Sequence, residues 1–253
     1  VVKIVTRLGD SRSGSEKMQS FSAHIERMED CEAILEYVYE ACREEAALWF
    51  SYHFTPIFES PTSKNTFIWA RDYPFELQKK YFAEGYRELD PVPQLTLDHG
   101  YVLTWRRAME LGASDSDARK YFEVFREYEI ENWAGFALYG PRNRDAFAGL
   151  TFRDDPECFD EGRLTHLHTM LQTAHLRICQ IIEGAQPDVS LSERERQVLV
   201  WMGRGKSAGE IGKILDISSE TVKTYTKRLY DKLDTNDRVT ATVRALKLGL
   251  VEL

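Results

Sequence analysis

Two helix starts are spelled out near the end of the chain: Ser192-x-x-Glu195 and Ser207-x-x-Glu210. Each is a capping box. The serine oxygen takes an early backbone N–H, and the glutamate reaches back to the serine's own N–H. The orphan donors of the first turn are thus satisfied locally, whatever packs around them. The first helix carries Val198 and Leu199 and is broken at Gly203-x-Gly205; the second runs into a turn at Leu215–Ile217. Ser218 or Ser219 is expected to cap a third helix and Asn236 a fourth. Short helices with a very short turn between the second and third are the pattern of a helix-turn-helix. They bury little surface, so the module is expected to be small and dependent on its surroundings.

The third helix spans Ser218 to Leu233. At a helical period Val222, Leu229 and Leu233 share one side, with Tyr225 or Thr226 filling the gap. Lys223, Thr224, Lys227 and Arg228 share the other. Lysine and arginine meet phosphates and guanine edges, and threonine bonds base edges or touches a thymine methyl. Taken alone, that face also fits an ordinary solvated helix. The formal net charge of −8 argues against nucleic acid for the chain as a whole. Divided at Pro187, however, an acidic body carries a slightly basic tail, and local charge steers a DNA contact.

The 253 residues have room for one large domain or two smaller ones, each with a core. Residues 1–20 are polar and glycine- and serine-containing, and read as a flexible leader. A helical pattern follows from Phe21 to Ala47, with Asp30 as an N-cap inside it. Strands are expected at Leu48–Phe54, stopped by Pro56, and at Thr66–Ala70 after a polar loop from Glu59. Tyr73-Pro74 opens a helix through Tyr86. Asp90-Pro91-Val92-Pro93 breaks it and starts a short helical piece; Tyr101–Trp105 is extended and Asp115–Glu129 helical. Trp133–Tyr139 and Ala146–Phe152 make a strand pair, and Phe159–Glu183 a long helix. The fold class is therefore α+β: an α/β/α sandwich around an antiparallel sheet over residues 21–183, a linker at 184–190, and a four-helix helix-turn-helix domain at 191–253.

The tail closely resembles the LuxR-type helix-turn-helix. The likeness is carried by Leu191-Ser192-Glu193-Arg194-Glu195-Arg196-Gln197-Val198-Leu199, Gly205-Lys206-Ser207, Glu210-Ile211, Thr221-Val222-Lys223 and Lys232-Leu233, and covers nearly all of 190–253. Glu195, Leu199 and Gly205 stand at that family's signature positions; Tyr225 stands where a histidine is common. The resemblance implies that Lys223, Thr224 and Lys227 meet base edges and phosphates, and that Val239, Val243 and Leu246 form a dimer contact. Residues 20–183 resemble the autoinducer-binding domain of quorum-sensing LuxR receptors. There the likeness is carried by Tyr73-Pro-x-x-Leu77-x-x-x-Tyr81-x-x-x-x-Tyr86-x-x-x-Asp90-Pro91-Val92, by Trp105, by Gly135 and by Leu150-Thr151-Phe152. A phosphate-accepting receiver would need paired acidic residues after an early strand, which residues 1–60 do not show.

The resemblance implies an acyl-homoserine lactone ligand. Asp90 would accept its amide N–H, Tyr81 donate to its acyl carbonyl, and Thr151 add a hydroxyl. Tyr73 and Trp105 would wall the tail, which gains about 0.8 kcal/mol per buried CH₂. Tyr73 and Trp105 taken singly also fit core aromatics, and Asp90 before proline fits a turn. Leu77 departs from the family, which usually places a lactone-bonding tryptophan there. Leucine cannot donate, so the head is held by another donor or a water, or it is a different head. Family members without a partner synthase, some answering to plant compounds, are similar in departing here.

The implied partners are double-stranded DNA with a palindromic operator, an amphiphilic signal and a second copy of the chain, with RNA polymerase a candidate. No cofactor is expected. Regulation that needs no ligand is one alternative; an enzyme acting on acylated small molecules is a remote one. No G-x-S-x-G, HExxH or phosphate-cradling glycine loop is present. His168 and His175 share a helix face but lack a third ligand, so no metal site is expected. Cys31, Cys42, Cys158 and Cys179 form no CxxC pair and are expected to be reduced thiols. No apolar run is long enough to span a membrane and nothing at the start has the build of a signal peptide, so the cytoplasm and no membrane partner are expected. The opening on Val1 without a methionine is what a trimmed chain would show.

Overall fold

The computed structural model describes residues 14–55, 60–128, 130–185 and 189–251. Its N-terminal part holds a five-stranded antiparallel sheet in the order β2-β1-β5-β4-β3. The strands are β1 (Ala47–Phe54), β2 (Phe67–Arg71), β3 (Val102–Thr104), β4 (Trp133–Leu138) and β5 (Ala146–Phe152). β1 lies between β2 and β5, so the first strand and the last hairpin are neighbours in the sheet.

Successive strand residues point to opposite faces, and here the two faces do different work. Phe50 and Tyr52 of β1, Trp69 of β2, Phe136 of β4 and Leu150 of β5 point to one side. Helices α1 (Gly14–Ile25), α2 (Cys31–Glu44) and α8 (Glu161–Ala185) cover them, through Ile25, Ile34, Val38, Leu167 and Leu171. The opposite face lies under α3 (Phe75–Ala83), α4 (Tyr86–Leu89), α5 (Val92–His99), α6 (Trp105–Gly112) and α7 (Ser116–Arg126). The sheet is thus sandwiched between two helical layers.

Asp30 caps α2, its Oδ1 taking Ala33 N–H at 2.7 Å, and Asp115 caps α7. Some expectations need correction. Residues 14–20 of the expected leader belong to α1, because Met18, Phe21 and Ile25 form an apolar stripe that packs on the core. Residues 1–13 of that leader, Pro56 and Glu59, and linker residues 186–188 lie outside the described residues; 184–185 end α8. Pro74 is the N-cap of α3 rather than a first-turn residue, and the helix stops at Ala83 before Gly85 turns the chain left-handed at φ 81°. Trp105 does not end a strand: Thr104 caps α6, which starts on the tryptophan.

The C-terminal part is α9 (Glu193–Gly203), α10 (Ala208–Leu215), α11 (Ser219–Lys232) and α12 (Arg238–Lys247) around Leu199, Ile211, Val222, Leu229 and Ala241. Both capping boxes are closed in both directions. Ser218 caps α11, but α12 is capped by Asp237 and not by Asn236, since the Asp237 carboxylate takes Thr240 N–H at 2.9 Å. The turn between α10 and α11 is tight. Asp216 is left-handed at φ 54°, and a Cβ on Gly212 would stand 2.7 Å from the Ile217 carbonyl oxygen.

Candidate functional site

Between the sheet and α3–α7 lies a cavity with about 650 Å³ of empty space, mouth included. Its floor comes from the inward positions of the strands: Ser51 and His53 of β1, Ile68 and Ala70 of β2, Trp133 of β4 and Phe147 of β5. Its roof carries Tyr73, then Leu77 and Tyr81 one helical turn apart on α3, Asp90 after α4, Trp105 of α6 and Tyr121 and Phe125 of α7. The walls are mostly apolar with few polar points, as small-molecule sites are. Phe82, half exposed, stands at the rim.

The strongest polar point is Asp90, only 7% exposed. Its Oδ1 accepts Val92 N–H at 3.0 Å and its Oδ2 accepts the Tyr81 hydroxyl at 2.8 Å. Burial pushes its pKa from 3.8 up to about 7, against the pull of Val92 N–H and the Tyr81 and Tyr121 hydroxyls. Three donors reach this carboxyl, yet none carries a charge, so they do not offset the cost of burying it. A second polar point joins Tyr73, whose hydroxyl donates to Ser51 Oγ at 3.4 Å, to the strand floor. Burial raises the Tyr73 pKa to about 12.

Of the expected ligand residues, Tyr73, Leu77, Tyr81, Asp90 and Trp105 line this one cavity. Gly135 and Thr151 do not. A Cβ on Gly135 would lie 2.4 Å from the Trp133 ring and 2.7 Å from Thr96 Oγ1, so this glycine makes room for the tryptophan and for α5. Gly149 pairs with it across the strands and makes the same room for Trp133. Thr151 is buried on β5, and its Oγ1 has no hydrogen-bond partner. Ser51, His53, Tyr121, Phe125 and Trp133 line the cavity without having been foreseen. The alternation of β1 was the signal available for Ser51 and His53. Tyr121 and Phe125 read only as the apolar stripe of a helix.

The candidate nucleic-acid interface is the outer face of α11. Lys223, Thr224, Lys227 and Arg228 are all exposed there, while Val222 and Leu229 are buried beneath. Lys223 Nζ pairs with Glu220 at 2.7 Å, and the Thr224 hydroxyl donates to the Glu220 carbonyl at 3.0 Å. The three signature residues act on the backbone and core: Glu195 and Leu199 are buried, and Gly205, exposed, turns the chain after α9 at φ 83°. Glu195 Oε2 accepts Ser192 N–H and Lys232 Nζ, each at 2.7 Å, tying the start of α9 to the end of α11. Burial raises the Glu195 pKa, but those hydrogen bonds outweigh it and hold the carboxyl below its usual range.

Comparison with known proteins gives these two sites a family. A model described as the autoinducer binding domain matches residues 30–178, and one described as bacterial regulatory proteins of the luxR family matches residues 189–245. The chain belongs to the LuxR-type regulators that carry an autoinducer-binding domain. It is 27% identical to the transcriptional activator protein AnoR of Acinetobacter nosocomialis over 73% of this chain and 78% of that protein. It is also 27% identical to the putative HTH-type transcriptional regulator y4qH of Sinorhizobium fredii, over 72% of this chain but only 56% of that protein's length. In fold it is similar to crystalline Escherichia coli SdiA, with a TM-score of 0.76 and 20% identity, over 95% of this chain and 100% of that one. SdiA in complex with octanoyl-rac-glycerol gives 0.75 and 18%, over 96% and 99%. This LuxR-type chain thus pairs a signal-binding domain with a DNA-binding helix-turn-helix. Among the described residues no helix is long and apolar enough to cross a membrane, and no cluster of His, Cys, Asp and Glu is set to hold a metal ion.

Proposed function

We propose that this LuxR-type regulator binds an acylated amphiphile in the cavity under α3–α7 and, as a dimer, a two-fold-symmetric operator through α11. The domains divide at the segment 184–190, and the protein works in the cytoplasm with DNA and RNA polymerase. Asp90 carries the reading. A buried carboxylate with Tyr81 on one oxygen, in an otherwise apolar slot, suits a ligand whose polar head presents an N–H. An N-acyl homoserine lactone has that group: its amide N–H takes the place of the Tyr81 hydroxyl on Asp90, the freed hydroxyl donates to the acyl carbonyl, and the tail lies among Trp105, Phe125 and Phe147.

Leu77 favours a second reading of the head. It is 2% exposed and offers no donor to a lactone carbonyl. Trp105 Nε1, buried without a partner, is an indole donor that lines the same cavity. A lactone held by Trp105 or a lactone-free amphiphile both fit this arrangement. A fold neighbour's complex with octanoyl-rac-glycerol supports the lactone-free form. Mass spectrometry of the small molecule that co-purifies with the folded chain separates the two. Asp90→Asn tests the common core: the dose of that molecule needed for operator binding is expected to rise at least tenfold. An unchanged dose response would sink the amide-acceptor role.

A further inference from the structure

Burial leaves some side-chain polar atoms without a hydrogen-bond partner, and among these His53 Nδ1 and Trp105 Nε1 belong to residues that line the cavity. His53 is 4% exposed and sits two residues along β1 from Ser51, on the cavity face. Its neighbours across the sheet are Ile68 on β2 and Phe147 on β5, both apolar and both lining the cavity. An aliphatic residue would suit that strand position without leaving a polar atom dry. The ring meets Phe147 edge-on, with centroids 5.1 Å apart, and Tyr81 at 6.3 Å. Arg87, the nearby cation, directs its Nη2 to the Ser63 and Thr66 carbonyls.

Burial, helped by the Arg87 charge, lowers the His53 pKa from 6.5 to about 3, so the ring is neutral. A neutral imidazole has one donor and one acceptor, and rotation about Cβ–Cγ exchanges the edge it presents. Such a group suits a neutral oxygen. A ligand anion would lie near Asp90, and a ligand cation near Arg87. Because His53 lies between Tyr81, which holds Asp90, and Phe147, which walls the tail, the oxygen lies where the head passes into the chain.

Building on the ligand reading above, we propose that the signal carries a second neutral oxygen, a hydroxyl or carbonyl a few bonds from its head, and that His53 hydrogen-bonds it. His53 is then the residue that selects oxygenated over plain acyl chains.

Trp105 and Trp133 line the cavity, so tryptophan fluorescence of the full chain reports binding. The probes are N-decanoyl homoserine lactone and its 3-hydroxy and 3-oxo forms. Wild type is expected to bind at least one oxygenated probe about tenfold tighter than the plain one, as one added hydrogen bond to a buried group provides. His53→Leu should bring the ratio of the two affinities measured in the same variant below about twofold; His53→Gln, which keeps a donor and an acceptor, should retain part of it. Equal wild-type affinity for plain and oxygenated probes overturns the proposal, and a water then satisfies His53. So does a ratio unchanged in His53→Leu or, if that variant does not fold, in His53→Met. Asp90→Asn separates the two levels. If it leaves every affinity unchanged while the His53 effect stands, the head-group reading falls and this one survives. If wild type binds no probe, the lactone form of the head-group reading falls and this proposal falls with it.

Discussion

Asp90 is placed where its own ionisation is costly. Its folded pKa of about 7 lies above the ordinary 3.8, so between those values the folded chain holds a proton that the unfolded chain releases. Stability from this residue is therefore fully present below about pH 4 and is lost as pH rises through 7. The cost at pH 8 is on the order of 4 kcal/mol at most. Asp90→Asn should raise the ligand-free melting temperature at pH 8 and leave it nearly unchanged at pH 4, as differential scanning fluorimetry would show; equal shifts at both values would contradict this account. Ligand binding has the opposite slope. An amide N–H donor favours the ionised carboxylate, so affinity for N-decanoyl homoserine lactone should climb several-fold between pH 6 and pH 8, read by fluorescence titration. On the proposed reading the same residue is a stability liability without ligand and an attachment point with it.

At the scale of elements, single atoms decide how closely layers approach. Gly135 and Gly149 face each other across β4 and β5 so that the Trp133 ring can lie over the sheet. Gly135→Ala should cost about 1–3 kcal/mol, because its Cβ meets both that ring and Thr96 of α5. Urea unfolding of the N-terminal transition measures this, and a loss under about 0.5 kcal/mol would mean that α5 yields freely. In the tail, Glu195→Ala removes both a capping contact and the tie to Lys232, and should cost about 1–3 kcal/mol in the helix-turn-helix transition. These elements were unevenly legible in the sequence. Helix starts that rest on a side chain bonding the next turn were readable: Asp30, Ser192, Ser207 and Ser218 all cap as their types suggest. Helix α6 was not, because Thr104 caps it directly at the end of β3 and no loop separates strand from helix. The strand order was not readable either, since β1 pairs with β5 across a long stretch of chain and no local pattern encodes that. Five of the expected ligand residues do meet in one cavity, whereas Tyr121 was hidden because a helical stripe looks the same facing a core or a ligand.

On the scale of the whole molecule, the helix-turn-helix presents two exposed faces of different character, one basic and one apolar. Lys223, Thr224, Lys227 and Arg228 line the exposed side of α11, so Lys227→Ala should weaken operator binding and flatten its salt dependence by about one unit of slope. Gel-shift titrations at several salt concentrations test this, and ligand uptake should be untouched. On α12, Val239 is 72% exposed and Val243 43%, an apolar strip that suits a second copy of the chain. Val243→Glu should lower the dimer fraction in analytical ultracentrifugation with operator present; an unchanged fraction would move the dimer contact elsewhere. The two-sided sheet has a consequence for descent. On β1, Phe50 and Tyr52 face the helices that keep the domain folded, while Ser51 and His53 face the cavity. A single nucleotide change at the codon of Ser51 or His53 can retune what is sensed and spare what is structural. A lineage built this way can wander through chemical vocabularies, trading one messenger for another, without passing through an ancestor that does not fold.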